Sequence, residues 1–184
     1  MRVIAGRARG RPLLAPRGTA TRPIADRVKE TLFAILGERV VDAVVLDLYA
    51  GSGAIGIEAI SRGAASCDFV EVDRHALAAL KENLERTGFT RQAAVHRVAV
   101  ERFLASAGED QYDLAFLDPP YASRAILAPL QRAARCLTPA GMAVVKHHWR
   151  TEVPAVLGLS RWRERRFGET TLTFLSRAGG EEEP

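Results

Sequence analysis

The chain has 184 residues, 47% of them hydrophobic, enough for one packed domain of ordinary size with a small appendage. No apolar run approaches the ~20 residues a membrane span needs, and the first residues lack an apolar signal core, so a cytoplasmic protein with no membrane partner is expected. The net charge of +4 is uneven: residues 1–40 carry nine Arg and Lys against three acids, a net +6, which leaves −2 for the rest. A basic end on a near-neutral body points to a polyanion such as nucleic acid.

In chain order, residues 2–5 and 11–15 are short apolar pieces separated by glycines and arginines. They predict a small two-stranded hairpin, with Pro12 confining its strand to an edge. Residues 16–23 read as a linker. A helix follows from Asp26, with Val28, Leu32, Ile35 and Leu36 on one face and Gly37 at its end. From Val44 onward strand and helix patterns alternate. Strands are expected over 44–48, 68–72, 93–98, 112–117 and 142–146, and helices over 74–87, 101–105 and 125–136. Such alternation gives a parallel sheet covered on both sides. Residues 161–167 and 170–176 are joined by a turn too short for a crossover helix, so one C-terminal strand must run antiparallel. At period two, Trp162, Glu164 and Arg166 share one face of the first of these strands. The acidic stretch 179–184 is expected to be disordered. Cys67 and Cys136 lie in apolar-patterned segments and read as small buried thiols; no metal site is expected, since two thiols cannot complete a structural zinc site.

The first strand runs into Asp47-Leu48-Tyr49-Ala50-Gly51-Ser52-Gly53-Ala54-Ile55-Gly56. Gly51 and Gly53 allow a sharp turn and close backbone approach to a ligand, and a helix starting there offers N–H groups to it. With Asp73 at the end of the second strand, this spacing fits any adenosine-bearing ligand. Asp47 would repel a pyrophosphate but attract a cationic amino acid moiety, as in S-adenosyl-L-methionine. The fourth strand ends in Asp118-Pro119-Pro120-Tyr121, at the sheet edge where ligands of such folds bind. The prolines stiffen the loop and present acceptors that can hold both hydrogens of an exocyclic amine, and Tyr121 can stack on its base.

Val-Leu-Asp-Leu-Tyr-Ala-Gly-Ser-Gly-Ala-Ile-Gly, Phe-Val-Glu-Val-Asp and Leu-Asp-Pro-Pro-Tyr resemble the motifs of class I S-adenosylmethionine-dependent methyltransferases acting on amines. The N-terminal Arg-Val-Ile-Ala-Gly-Arg-Ala-Arg-Gly-Arg-Pro-Leu and Thr-Arg-Pro-Ile-Ala-Asp-Arg-Val-Lys-Glu-Thr-Leu-Phe narrow the resemblance to the bacterial 16S ribosomal RNA guanine-N2 methyltransferases. The resemblance implies an α/β, Rossmann-like sheet, mostly parallel with an antiparallel C-terminal hairpin strand, plus a small N-terminal β-hairpin and helix. It also implies a basic RNA-binding appendage over 1–40 and a methyltransferase domain over 41–178. In its terms Asp47, Ala50, Gly51 and Gly53 hold the methionine end of the cofactor, and Asp73 its ribose. Val98 and Ala99 lie against its adenine. Asp118, Pro119 and Tyr121 are the catalytic set, with Asp118 also next to the cofactor. Arg7, Arg9, Arg11, Arg22, Arg27 and Tyr121 contact substrate RNA, either naked or within an assembling small ribosomal subunit.

Three departures from the family pattern stand out. Ile24-Ala25 replaces hydroxyl residues, Val98-Ala99 offers no polar side chain to adenine, and Lys146-His147-His148-Trp149 stands where relatives often carry an acid. Other substrates compatible with the amine motif are the N6 of adenine in DNA or RNA and a protein glutamine. An NAD-dependent oxidoreductase and a non-catalytic RNA-binding assembly factor are the readings from other classes.

Overall fold

A computed structural model describes residues 1–16, 25–119 and 126–177 of the protein. After helix α1 (Asp26–Leu36) the chain alternates through β1 (Val44–Leu48), α2 (Ala54–Ser61), β2 (Ser66–Glu71), α3 (Arg74–Thr87), β3 (Ala93–Arg97), α4 (Val100–Ser106), β4 (Tyr112–Leu117), α5 (Leu127–Cys136) and β5 (Leu137–His148). It closes with β6 (Leu159–Phe167) and β7 (Thr170–Arg177). Among the described residues these strands form one seven-stranded sheet in the order β3-β2-β1-β4-β5-β7-β6. β1 to β5 pair in parallel, and β7 pairs antiparallel with both β5 and β6. This is the mostly parallel sheet with an antiparallel C-terminal strand that the pattern predicts.

The helices bury apolar side chains on both faces of the sheet. Val45, Leu114, Phe116 and Phe174 meet α1, α2 and α3 on one face, while Leu46, Leu48, Ala115 and Val145 meet α4 and α5 on the other. β1 therefore reads as a continuous apolar run interrupted only by Asp47, because a central parallel strand is covered on both sides. The order also reverses at β1/β4, where the chain leaves for β2 on one side and returns to β4 on the other. Ligand crevices of open parallel sheets lie at such a switch point, beyond the carboxyl ends of the strands.

The N-terminal segment forms the predicted hairpin: Arg2 and Pro12 bridge antiparallel, and Val3 N–H, Gly10 N–H and Leu13 N–H donate to the Arg11, Val3 and Met1 carbonyls (2.9, 2.9 and 3.0 Å). Other donors dock it on α2: Ile4 N–H and Ala5 N–H donate to the Glu58 carboxylate (2.8 and 2.9 Å), and Ala8 N–H to Ser61 Oγ (3.0 Å). Gly6 has φ +79°, and a Cβ there would fall 1.8 Å from the Ser61 carbonyl oxygen, so this close approach requires glycine. Two expectations change. First, β5 begins at Leu137, directly after α5, because Leu137 pairs with Tyr112 before a register shift at Tyr112/Leu114. Second, Trp162 and Glu164 do not share a face. A bulge between Arg161 and Arg163 turns Trp162 onto Phe174 (rings 6.1 Å apart), while Glu164 accepts from Thr173 Oγ1, one residue away on β7.

Beneath the N-terminal segment lies a buried ion pair. Lys29 Nζ is 3.1 Å from Glu58 Oε2 and donates to the Arg2 carbonyl (2.6 Å), with both charged side chains fully buried. Arg62 adds a second cation to Glu58 at 2.8 Å. Burial pushes the Lys29 ammonium below its usual pKa, against the attraction of Glu58.

Candidate active site

The turn after β1 is fixed from several sides. Tyr49, Gly51 and Gly53 all have positive φ (61°, 56° and 77°), and Gly53 starts α2 in the left-handed region. A Cβ on Gly53 would lie 2.3 Å from Leu80 Cδ1, and one on Gly56 would lie 2.4 Å from Phe69, so α2 rides close against the sheet. Gly53 N–H donates to the Ala50 carbonyl (2.8 Å), closing the turn. The fully buried Asn83 of α3 donates from Nδ2 to the carbonyls of Ser52 and Leu14 (both 3.0 Å). Its Oδ1 accepts from Leu14 N–H (2.8 Å), so one side chain joins the glycine turn to the N-terminal segment.

Two acids hold this turn. Asp47 is buried below it and accepts from Gly56 N–H in the first turn of α2 (3.0 Å). Burial pushes the Asp47 carboxyl up to about 8; the charges of Asp118 and Glu71 push the same way, against the Gly56 hydrogen bond. Glu71, at the end of β2, accepts from Gly51 N–H through Oε2 (2.8 Å) and from Val72 N–H and Asp73 N–H through Oε1 (2.7 and 2.8 Å). Asp73 is used differently: its Oδ1 caps α3, accepting from His75 N–H and Ala76 N–H (3.0 and 2.8 Å). Of the two acids after β2, Glu71 is the one bonded to the glycine turn.

Asp118 follows β4 on the neighbouring strand, with its N–H 3.4 Å from the Leu48 carbonyl. Lys146 Nζ donates to both its carboxylate oxygens, at 2.7 and 2.6 Å. The lysine side chain is 9% exposed and the aspartate 27%. Burial raises the Asp118 pKa, while the Lys146 charge and hydrogen bonds oppose the rise. The buried Pro119 follows and removes an N–H from the loop. Asp47, Glu71 and Asp118 thus converge on the end of the sheet with Lys146 as counter-charge.

Val98 is partly buried and packs on the α4–α5 side of the core, and Ala99 is the exposed residue before α4. Glu101, in the first turn of α4, is hydrogen-bonded to the Tyr49 hydroxyl, which is pushed up to about 12 by burial and by this acid. Arg7, Arg9, Arg11 and Arg27 are all exposed. Arg7 lies over the Phe89 ring (5.2 Å) and donates to the Ile60 carbonyl (3.4 Å), and Arg11 donates to the Arg86 carbonyl. Arg22, Tyr121 and the acidic stretch 179–184 lie outside the described residues. His147 is buried, with Nε2 2.8 Å from Thr173 Oγ1 and Nδ1 2.9 Å from the His148 carbonyl, and burial lowers its pKa. Among the described residues no group of three or more His, Cys, Asp and Glu could hold a metal. No helix there is long and apolar enough to cross a membrane. Cys67 and Cys136 are buried free thiols.

Sequence reasoning missed the Lys146–Asp118 pair. The departure at Lys146 was visible; the β4/β5 register, which pairs Leu117 with Val145, was needed to set the two side by side. A family model described as "Conserved hypothetical protein 95" matches residues 1–176. "Putative rRNA methyltransferase YlbH" of Bacillus subtilis is 39% identical over 184 residues, covering 97% of this chain and 100% of that protein. "Ribosomal RNA small subunit methyltransferase D" of Escherichia coli K12 is 42% identical over 121 residues, covering 66% of this chain and 60% of that protein. The solved structure of "Putative methyltransferase yhhF" from Escherichia coli superposes with a TM-score of 0.86 at 34% identity, covering 96% of this chain and 97% of that one.

Proposed function

The chain belongs to the family described as Conserved hypothetical protein 95, and from that membership we propose that it methylates ribosomal RNA with S-adenosyl-L-methionine. The group methylated is the exocyclic N2 amine of a guanine in 16S ribosomal RNA. The observation that carries this reading is the pairing of Asp118 with Lys146 beside the glycine turn, in a family with relatives named as ribosomal RNA methyltransferases.

The donor set suits the cofactor. S-adenosyl-L-methionine carries an ammonium and a sulfonium, and the carboxylates of Glu71 and Asp118 stand at this end of the sheet with Asp47 buried beneath the turn. Asp47, Ala50, Gly51 and Gly53 would hold its methionine end. Asp73 would bind its ribose through the oxygen not used to cap α3, while Glu71 braces the glycine turn with both of its own. Val98 and Ala99 would lie against the adenine. When bound, the cofactor supplies a methyl group already activated on sulfur.

What the protein adds is position. Asp118 and the carbonyl of Pro119 accept the two amine hydrogens and orient the nitrogen lone pair, and Tyr121 stacks on the base. No strong general base is required, because an amine held in line with an activated carbon gains most of its rate from orientation. The target base must be unpaired or extruded to enter. The first forty residues act as the RNA-gripping appendage of the domain over 41–178, with Arg7, Arg9, Arg11, Arg22 and Arg27 on the phosphate backbone. Asp118→Ala tests the assignment. It should abolish transfer to ribosomal RNA while S-adenosyl-L-methionine still binds, and undiminished transfer would refute it.

A further inference from the structure

The chemistry assigned above uses Asp118 and the loop after it but leaves the neighbouring strand end unexplained. β5 and β6 both finish at the carboxyl edge of the sheet, since β7 runs antiparallel to each. Trp149 directly follows β5, three residues beyond the lysine that holds Asp118, which puts it roughly 10 Å along the chain from that pair. Its position is pinned: Trp149 N–H donates to the Glu169 carbonyl (2.9 Å) in the β6–β7 turn. Arg166 Nε donates to the Gly168 carbonyl in the same turn (2.8 Å).

Trp149 is 39% exposed. Two guanidinium groups stand over it, Arg166 at 4.1 Å from its centroid and Arg150 at 4.8 Å. Both arginines are exposed. β6 carries three further arginines at 161, 163 and 165 against one acid, Glu164. Charge on an edge strand also discourages sheet-to-sheet pairing. That role explains the arginines of β6. It does not explain a large aromatic ring fixed in the open at the rim of the candidate active site.

We propose that Trp149, with Arg150 and Arg166, is a docking platform for an unpaired nucleotide neighbouring the one that is methylated, the base stacking on the indole and the guanidiniums holding the flanking phosphates. The proposal rests on RNA being the substrate. A nucleotide delivered to Asp118 brings its neighbours across this edge, and such neighbours are a usual site of context recognition. The stacked arginines are readily exchanged: an exposed cation–π contact is weaker than base-on-aromatic stacking, and a released guanidinium next meets phosphate. The surface is cationic and aromatic together, which suits single-stranded RNA better than it suits a duplex.

The test uses the full chain. In a Trp162→Phe background Trp149 is the only tryptophan, and its fluorescence should be quenched by a short oligoadenylate. Trp149→Ala should weaken binding of unmodified 16S ribosomal RNA by roughly 5- to 100-fold and raise KM more than it lowers kcat. S-adenosyl-L-methionine affinity should not change, and Trp149→Phe should recover much of the loss. Absence of quenching under conditions where RNA binds, or a Trp149→Ala protein that binds RNA like the parent, overturns the proposal alone. A loss seen only with protein-bound subunits assigns the platform to a protein and overturns it too. A parent protein that binds no RNA overturns the substrate reading with it.

Discussion

Replacing Lys146 by Met keeps an unbranched, largely buried stem on β5 and removes the ammonium that holds both oxygens of Asp118. Breaking a fully buried ion pair costs about 3–5 kcal/mol, and an exposed one about 0–1 kcal/mol. With side chains 9% and 27% exposed, this pair falls between, at about 2 kcal/mol. For a domain of this length, that lowers Tm by roughly 4–8 °C. The same loss of order at Asp118 lowers kcat by about 30-fold if it appears in the transition state. The pH dependence adds a sign. Burial already favours the protonated form of Asp118, and Lys146 is the group that opposes it. Without the lysine the carboxyl pKa rises further, so the acidic limb of the kcat–pH profile moves to higher pH. Single-turnover methyl transfer measured across pH, alongside calorimetric cofactor binding and thermal melts, reads all three effects. Lys146→Arg should restore part of the activity. A Lys146→Met protein with kcat within about twofold of the parent and an unmoved acidic limb would refute the reasoning.

Three further outcomes follow from the same geometry. Replacing Arg7, Arg9 and Arg11 by Ala should weaken RNA binding and flatten the plot of log K against log salt by about 2 in slope, at ~0.7 per single-strand phosphate; an unchanged slope assigns the contact elsewhere. Asp47 titrates near 8 in the folded protein and near 4 unfolded, so its contribution to stability is complete at low pH and is lost as pH rises through about 8. Asp47→Asn should therefore melt increasingly higher than the parent as pH is raised from 4 to 9, while binding S-adenosyl-L-methionine more weakly; parallel melting curves at all pH values count against a buried acid. Lys29→Met leaves Glu58 with Arg62 and two backbone donors but without its buried partner, and should cost about 3 kcal/mol in chemical denaturation. The further substitution Glu58→Gln should return part of that, and a single variant as stable as the parent would dismiss the pair as a lock.

Much of the architecture was readable from apolar runs and turn lengths. Five parallel strands follow from buried runs between amphipathic helices, and the short link at Gly168-Glu169 forces the antiparallel strand. Local chemistry was harder to read. Lys29 counts as one more basic residue in the sequence, yet it is fully buried, because only the fold sets Glu58 opposite it. The bulge at Trp162 breaks the period-two pattern without a glycine or proline to announce it. Asp73 reads from the sequence as the ribose acid; that it also caps α3, and that Glu71 braces the glycine turn, come from the structure. Asp47 stands out in the sequence because an acid ahead of the glycine turn would repel a pyrophosphate and attract a cationic amino acid moiety. Its environment, buried below Gly56 N–H, comes from the structure.

The central claim is methyl transfer to a guanine amine in ribosomal RNA. It is tested most directly by incubating the protein with methyl-labelled S-adenosyl-L-methionine and unmodified 16S ribosomal RNA, naked and as assembled subunit, then identifying the labelled nucleoside by mass spectrometry. The account predicts label in N2-methylguanosine and nowhere else. Label in N6-methyladenosine or in protein glutamine, or no label with either substrate, would contradict it.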